Sequence, residues 1–139
     1  MRGGFSLKGT RLMTFAPANA VVWTEIPVLD LDRGIAFYKE VFGHALDRDD
    51  SGPNPMAMFS TSDPVNGVAG HLYPGKPAQG GNGPTVHLQV PDSLEASAER
   101  CERAGGTILS EPIGIPAGRF QYATDPDGNS IGLFEPTKG

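Results

Sequence analysis

The sequence predicts an α+β fold made of two tandem β-α-β-β-β modules, and three observations predict it. The order strand, capped helix, glycine stop occurs twice. Three short strand candidates follow each helix, and a run rich in Gly and Pro separates the two halves. Superposing Val28 on Val90 gives an offset of 62 residues, and the same offset carries Asp30 onto Asp92 and Glu25 onto His87. Two copies of a unit this long suit a duplicated fold better than a solenoid.

The elements follow in order. Residues 1–19 read as a loosely attached leader: its small-residue end imitates a secretory signal, but Lys8, Thr10, Arg11 and Thr14 interrupt the apolar middle, and Met13 offers an alternative start. The first module is expected over 20–79. Apolar alternation over 21–28 reads as a strand. Asp30 stands as the N-cap of a helix whose buried stripe is Leu31, Ile35, Tyr38 and Phe42, with Gly43 as its stop. Phe37, Tyr38 and Phe42 are expected in the core. Strand candidates follow at 45–47, 56–60 and 68–73. The run "PGKPAQGGNGP" reads as a flexible connection. The second module is expected over 80–139: a strand in "TVHLQV", Asp92 and Glu95 as a capping box, a helix carrying Leu94, Ala98, Cys101 and Ala104, and Gly105 and Gly106 as the stop. Its strand candidates lie at 107–110, 120–124 and 130–134.

Composition narrows the function. At 139 residues and 38% hydrophobic content the chain fits one compact domain with one core. A net charge of -5 without a Lys/Arg cluster excludes a nucleic-acid face and an anionic membrane surface. No segment reaches the roughly 20 apolar residues of a membrane span. Cys101 is the single cysteine, so no internal disulfide is possible, and a reducing, cytoplasmic location is expected. Neither "AGG" at 104–106 nor "PAGRF" at 116–120 opens a helix as a nucleotide-binding glycine turn does. His44 is expected to meet carbonyls at its helix end, residues 47–50 to form a solvated strand end and loop, and Arg119 to be available to an anionic substrate.

Two stretches carry a resemblance: "VLDLDRGIAFYKEVFG" at 28–43 and "DPDGNSIGLFEP" at 125–136, the second a tight turn leading into the last strand. With the duplication, they make residues 20–136 similar to the vicinal oxygen chelate superfamily of glyoxalase I, bleomycin-resistance proteins and extradiol dioxygenases, and to its glyoxalase-related subgroup of undefined activity. The resemblance implies a curved mixed sheet with a concave cup, one divalent metal in many members, and a homodimer, in some members with modules exchanged between chains. The family's four ligand positions fall on Trp23, His71, Thr85 and Gly132. Three of these residues are poor ligands for a divalent transition metal. The resemblance therefore implies a chain without the usual metal site, which weighs against the metal-dependent glyoxalase and dioxygenase reactions.

Strand alternation then defines the candidate site. If position 23 faces the cup, so does Glu25, and His87 shares a face with Thr85 and Gln89. Glu25 and His87 are the candidate catalytic residues. Trp23, His71, Thr85, Gln89, Phe120, Tyr122 and Phe134 are the candidate binding residues. A solvated or salt-bridged Glu25 is the other reading of the same pattern. No cofactor is expected. Were a divalent metal bound, Glu25, His71 and His87 would form the shifted site. A metal-free acid/base pair and an aromatic-walled pocket without turnover are the other two options for the cup, the latter a non-enzymatic drug or aromatic-ligand binder.

Overall fold

A computed structural model of the chain describes residues 14–138. The leader's first thirteen residues, and Met13 as a start, lie outside the described residues. The order is β1 (Trp23–Val28), α1 (Leu31–Phe42), β2 (Leu46–Asp49), β3 (Met56–Phe59), β4 (Ala69–Pro74), β5 (Val86–Gln89), α2 (Leu94–Arg103), β6 (Thr107–Ile108), β7 (Ile113–Ile115), β8 (Gly118–Thr124) and β9 (Ser130–Pro136). They form two mixed sheets. The first runs β1-β4-β3-β2, with β1 parallel to β4. The second runs β5-β9-β8-β6, with β5 parallel to β9 and β7 also paired to β8. This is the expected α+β pair of β-α-β-β-β units with one strand added.

The added strand β7 lies in "EPIGIPAG", where Pro112, Gly114 and Pro116 read as loop. It exists because residues 116 and 117 turn the chain back and Ile115 pairs with Gly118, leaving a short edge strand where proline is tolerated.

In α1 the expected signals hold. Asp30 accepts from the Arg33 N–H, and Gly43 ends the helix in the left-handed region at φ 66°, its N–H returning to Lys39 O. In α2 the capping box is displaced. Ser93 is the N-cap, accepting from Ala96 N–H, while Asp92 accepts from Ser97 Oγ at 3.0 Å and from both terminal nitrogens of Arg100. Glu95 turns away to Arg119. Either Asp92 or Ser93 fits the N-cap by residue type. The guanidinium of Arg100 decides between them by claiming the aspartate. Arg100 also donates to the last carbonyls of α1, Glu40 O at 3.1 Å and Val41 O at 3.0 Å, so one side chain satisfies the C-terminus of one helix from the other.

The core is one continuous cluster drawn from both halves. Ile26, Val28, Phe37, Tyr38, Val41 and Phe42 from the first pack with Val90, Leu94, Cys101, Ala123, Ile131 and Leu133 from the second. Cys101 is fully buried, and desolvation pushes its thiol up to about 11, as expected of an inert small core residue.

The two stretches that carry the family resemblance grip each other. Asp125 opens a turn in which Gly128 N–H returns to Asp125 O and Gly128 takes φ 93°. Its buried carboxylate accepts from Asp127 N–H, Asn129 N–H and Asn129 Nδ2, and from the buried Tyr38 hydroxyl of α1 at 2.8 Å. Asp127 accepts from Leu29 N–H and pairs with Arg33, and Asn129 Nδ2 donates to Pro27 O. The connection between halves is held at the same place, with Gly81 N–H donating to Gly128 O at 2.9 Å. It is pinned against the turn, which its composition alone did not indicate.

Candidate functional site

Strand β1 resolves the face of Glu25. Ile26 and Val28 are 3% and 1% exposed against the core, whereas Trp23 is 46% exposed and the Glu25 side chain 63%. Trp23 and Glu25 thus share the face away from the helices, as strand alternation requires.

The parallel register places Glu25 beside His71 of β4. The Trp23 indole Nε1–H donates to His71 Nδ1 at 2.9 Å, and His71 Nε2 stands 3.9 Å from Glu25 Oε1. An indole nitrogen only donates, so Nδ1 is the acceptor and the neutral ring carries its proton on Nε2. The ring of Tyr73 packs edge-on at 5.9 Å from His71.

In the second sheet, His87 of β5 pairs with Gly132 of β9, and Tyr122 of β8 lies on the other side of that glycine. The His87 ring rests on the glycine itself: a Cβ at 132 would fall 2.8 Å from His87 Cγ and closer still to the ring's edge atoms. Phe120 meets this imidazole edge-on at 5.0 Å, and Tyr122 lies 5.9 Å from it. Burial holds His87 below the usual histidine value, so it is neutral at pH 7 and able to accept a proton. Thr85, the partner of Trp23 in the duplication, shares a 2.5 Å hydrogen bond with Ser130.

A cleft of about 820 Å³ runs between strands β1 and β5. Trp23, Glu25, Thr85 and His87 all line it, so the structure brings both candidate catalytic residues to one cavity. Gln89, Phe120 and Phe134 instead join His87 and Ile115 around a second cavity of about 410 Å³. His87 is the residue common to both. His71 reaches the first cleft only through Glu25 and Trp23, and Tyr122 contributes through its contact with His87. Among the described residues, no three His, Cys, Asp or Glu side chains converge as a metal-binding group; His71 lies beside Glu25 in the strand register, and His87 stands in the other sheet.

Two expectations are corrected. Arg119 lies within β8, held by Glu95 at 2.7 Å and Glu135 at 2.7 Å, and this double clamp removes it as a ligand for substrate anions. His44 does not meet the carbonyls of its own helix. Its Nε2 lies 2.8 Å from Gln89 O at the end of β5, and its ring packs on Phe42 and Phe59 while lining the cleft. Lys76 and Asn82 also line the cleft and were absent from the candidate residues. They sit in the Gly/Pro connection, where composition signals a linker and nothing signals a wall.

A sequence profile of the Glyoxalase/Bleomycin resistance protein/Dioxygenase superfamily matches residues 20–133. "Putative glyoxylase CFP32" of Mycobacterium bovis is 30% identical over 121 residues, covering 85% of this chain and 44% of its own length; the chain thus spans under half of that relative. A glyoxalase I mutant from Zea mays is 26% identical with a TM-score of 0.64, over 82% of this chain and 45% of that one. The fosfomycin resistance protein FosX of Mesorhizobium loti shares the fold at a TM-score of 0.61 and 16% identity, over 88% of this chain and 94% of that one. With a match across most of its length, both modules included, the chain belongs to the Glyoxalase/Bleomycin resistance protein/Dioxygenase superfamily.

Proposed function

We propose that the chain binds a small organic molecule in the cleft between β1 and β5 and acts on it by metal-free acid/base chemistry, of lyase or isomerase type, through Glu25 and His87. The observation that carries this reading is that one cavity of about 820 Å³ receives both a solvent-open carboxylate and a neutral imidazole, from equivalent strands of two modules. The donor set supports the absence of the family metal at its usual place. The indole of Trp23 is spent on His71 Nδ1, the hydroxyl of Thr85 on Ser130, and the His87 ring fills the space above Gly132.

The protein is further proposed to be a cytoplasmic homodimer. Strands β1 and β5 each end a sheet, and the exposed Val21, Val22 and Val68 flank the β1 end. The lone thiol suits a reducing compartment, and among the described residues no helix is long and apolar enough to cross a membrane.

A second reading is favoured by the smaller cavity, whose walls are His87, Gln89, Ile115, Phe120 and Phe134: an aromatic-ligand binder without turnover. Screening of neutral small molecules by thermal shift, followed by product analysis of each hit, separates the two. For a hit that is turned over, the Glu25→Gln/His87→Ala variant is expected to lose at least two decades of turnover while its affinity stays within about tenfold. Equal turnover in the double variant overturns the assignment. Tight binding with no product from any hit supports the sequestering reading.

A further inference from the structure

The arrangement of Trp23, His71 and Glu25 goes beyond an acid/base pair at His87. His71 Nε2 has no hydrogen-bond partner, since Glu25 Oε1 at 3.9 Å is too far to accept from it. Among the described residues no sealed side-chain nitrogen or oxygen lacks a partner, so this Nε2–H opens to solvent even though the His71 side chain is only 13% exposed. The separation is informative. An oxygen placed about 2.8 Å from both atoms would see them at roughly a right angle, an arrangement one hydroxyl group satisfies by accepting from Nε2–H and donating to the carboxylate.

We infer that Trp23, His71 and Glu25 form a recognition site for a neutral hydroxyl group, phenolic or alcoholic, at the edge of the cleft. Trp23 is the positioning residue. Its indole N–H holds His71 in the Nε2–H tautomer, so that a donor faces the carboxylate and not a second acceptor. The pairing discriminates by charge. A ligand carboxylate would meet Glu25 as a like charge, and Arg119, the cation that the sequence offered to an anionic substrate, is held by Glu95 and Glu135. Lys76 is the cleft-lining cation that a carboxylate ligand would seek instead. This inference rests on the proposal that the cleft takes a small organic molecule, and it names the ligand class.

The test uses the full chain labelled with nitrogen-15, with phenol and benzoate as probes of equal ring and different charge. Trp23 is the only tryptophan, so its indole gives one signal. In the ligand-free protein, long-range nitrogen correlations are expected to show His71 as the Nε2–H tautomer, and Trp23→Phe to release it into a mixture. Phenol is expected to shift His71 Nε2 and the Trp23 indole in a saturable way, with affinity falling about tenfold in Glu25→Ala, while benzoate leaves both signals in place. An Nδ1–H tautomer, or a tautomer unchanged by Trp23→Phe, overturns the site irrespective of any ligand. Benzoate shifting the same signals as strongly as phenol overturns the charge selection. Phenol shifting His87 and Thr85 alone places the ligand elsewhere in the cleft, which overturns this inference and leaves the proposed function standing.

Discussion

Asp125→Ala is expected to cost about 3 kcal/mol or more, enough to lower the melting temperature by about 10 °C. Four donors converge on this carboxylate: three come from its own turn and the fourth is the Tyr38 hydroxyl of the other module. Alanine removes the charge and also strands a buried phenol, and leaving a buried polar group unpaired costs more than losing an ordinary hydrogen bond. Calorimetry should place Tyr38→Phe much closer to the wild type, at about 1 kcal/mol, because that change leaves the carboxylate with its three turn donors. The same contact fixes an alkaline limit. Burial first, then the charge of Asp125, raises the Tyr38 phenol well above 10, while an unfolded tyrosine titrates near 10. The folded chain therefore keeps a proton that the unfolded chain releases, so stability is intact below pH 10 and declines above it by up to about 1.4 kcal/mol per pH unit. Cys101 adds to the loss in the same direction from about pH 9. Tyr38→Phe should flatten the decline above pH 10. An unchanged alkaline slope in that variant would contradict the assignment.

The second large effect concerns the glycine at the family's last ligand position. Gly132→Glu places a carboxylate at the position that the resemblance assigns to a metal ligand, yet it is expected to destabilise by about 1–3 kcal/mol, because any Cβ collides with the His87 ring. The imidazole would have to leave its edge-on contact with Phe120. Placing Gly132→Glu in a His87→Ala background should recover most of the loss, giving a coupling of about 1 kcal/mol or more in a double-mutant cycle. Strict additivity would show that histidine and side chain are not competing for the same space. The cycle matters for function because it tests whether His87 and a side chain at 132 compete for the same space beside the cleft.

Much of the fold was legible in the sequence, for reasons visible in single residues. Asp30 and Gly43 bound α1 because each had one role available. The start of α2 was misplaced by one residue because Asp92 and Ser93 both suit an N-cap, and a guanidinium eight residues away made the choice. The face of Glu25 rested on alternation together with the resemblance that puts position 23 in the cup, with a solvated Glu25 as the other reading, and the burial of Ile26 and Val28 puts Trp23 and Glu25 on the opposite side. The partner of Glu25 did not follow. The Glu25 and His71 juxtaposition depends on β1 pairing in parallel with β4 across 46 residues, and local pattern carries no record of such a register. The same holds for His87 on Gly132, which the sequence offered separately as a candidate catalytic residue and a ligand position without a ligand, and which the structure stacks ring on glycine. Arg119 illustrates the reverse error: a basic residue beside a loop looked free until tertiary contacts brought two glutamates to it.

The cleft is proposed to work without a bound metal. Elemental analysis of the full-length, tag-free protein, dialysed against a mixture of zinc, nickel, iron and manganese and then against buffer, tests it most directly. Less than about 0.1 metal per chain is expected, with the single Trp23 indole signal unmoved by each metal, since His71 Nδ1 remains engaged. One metal per chain, lost on replacing Glu25, His71 or His87, would contradict the account and establish the shifted site in its place.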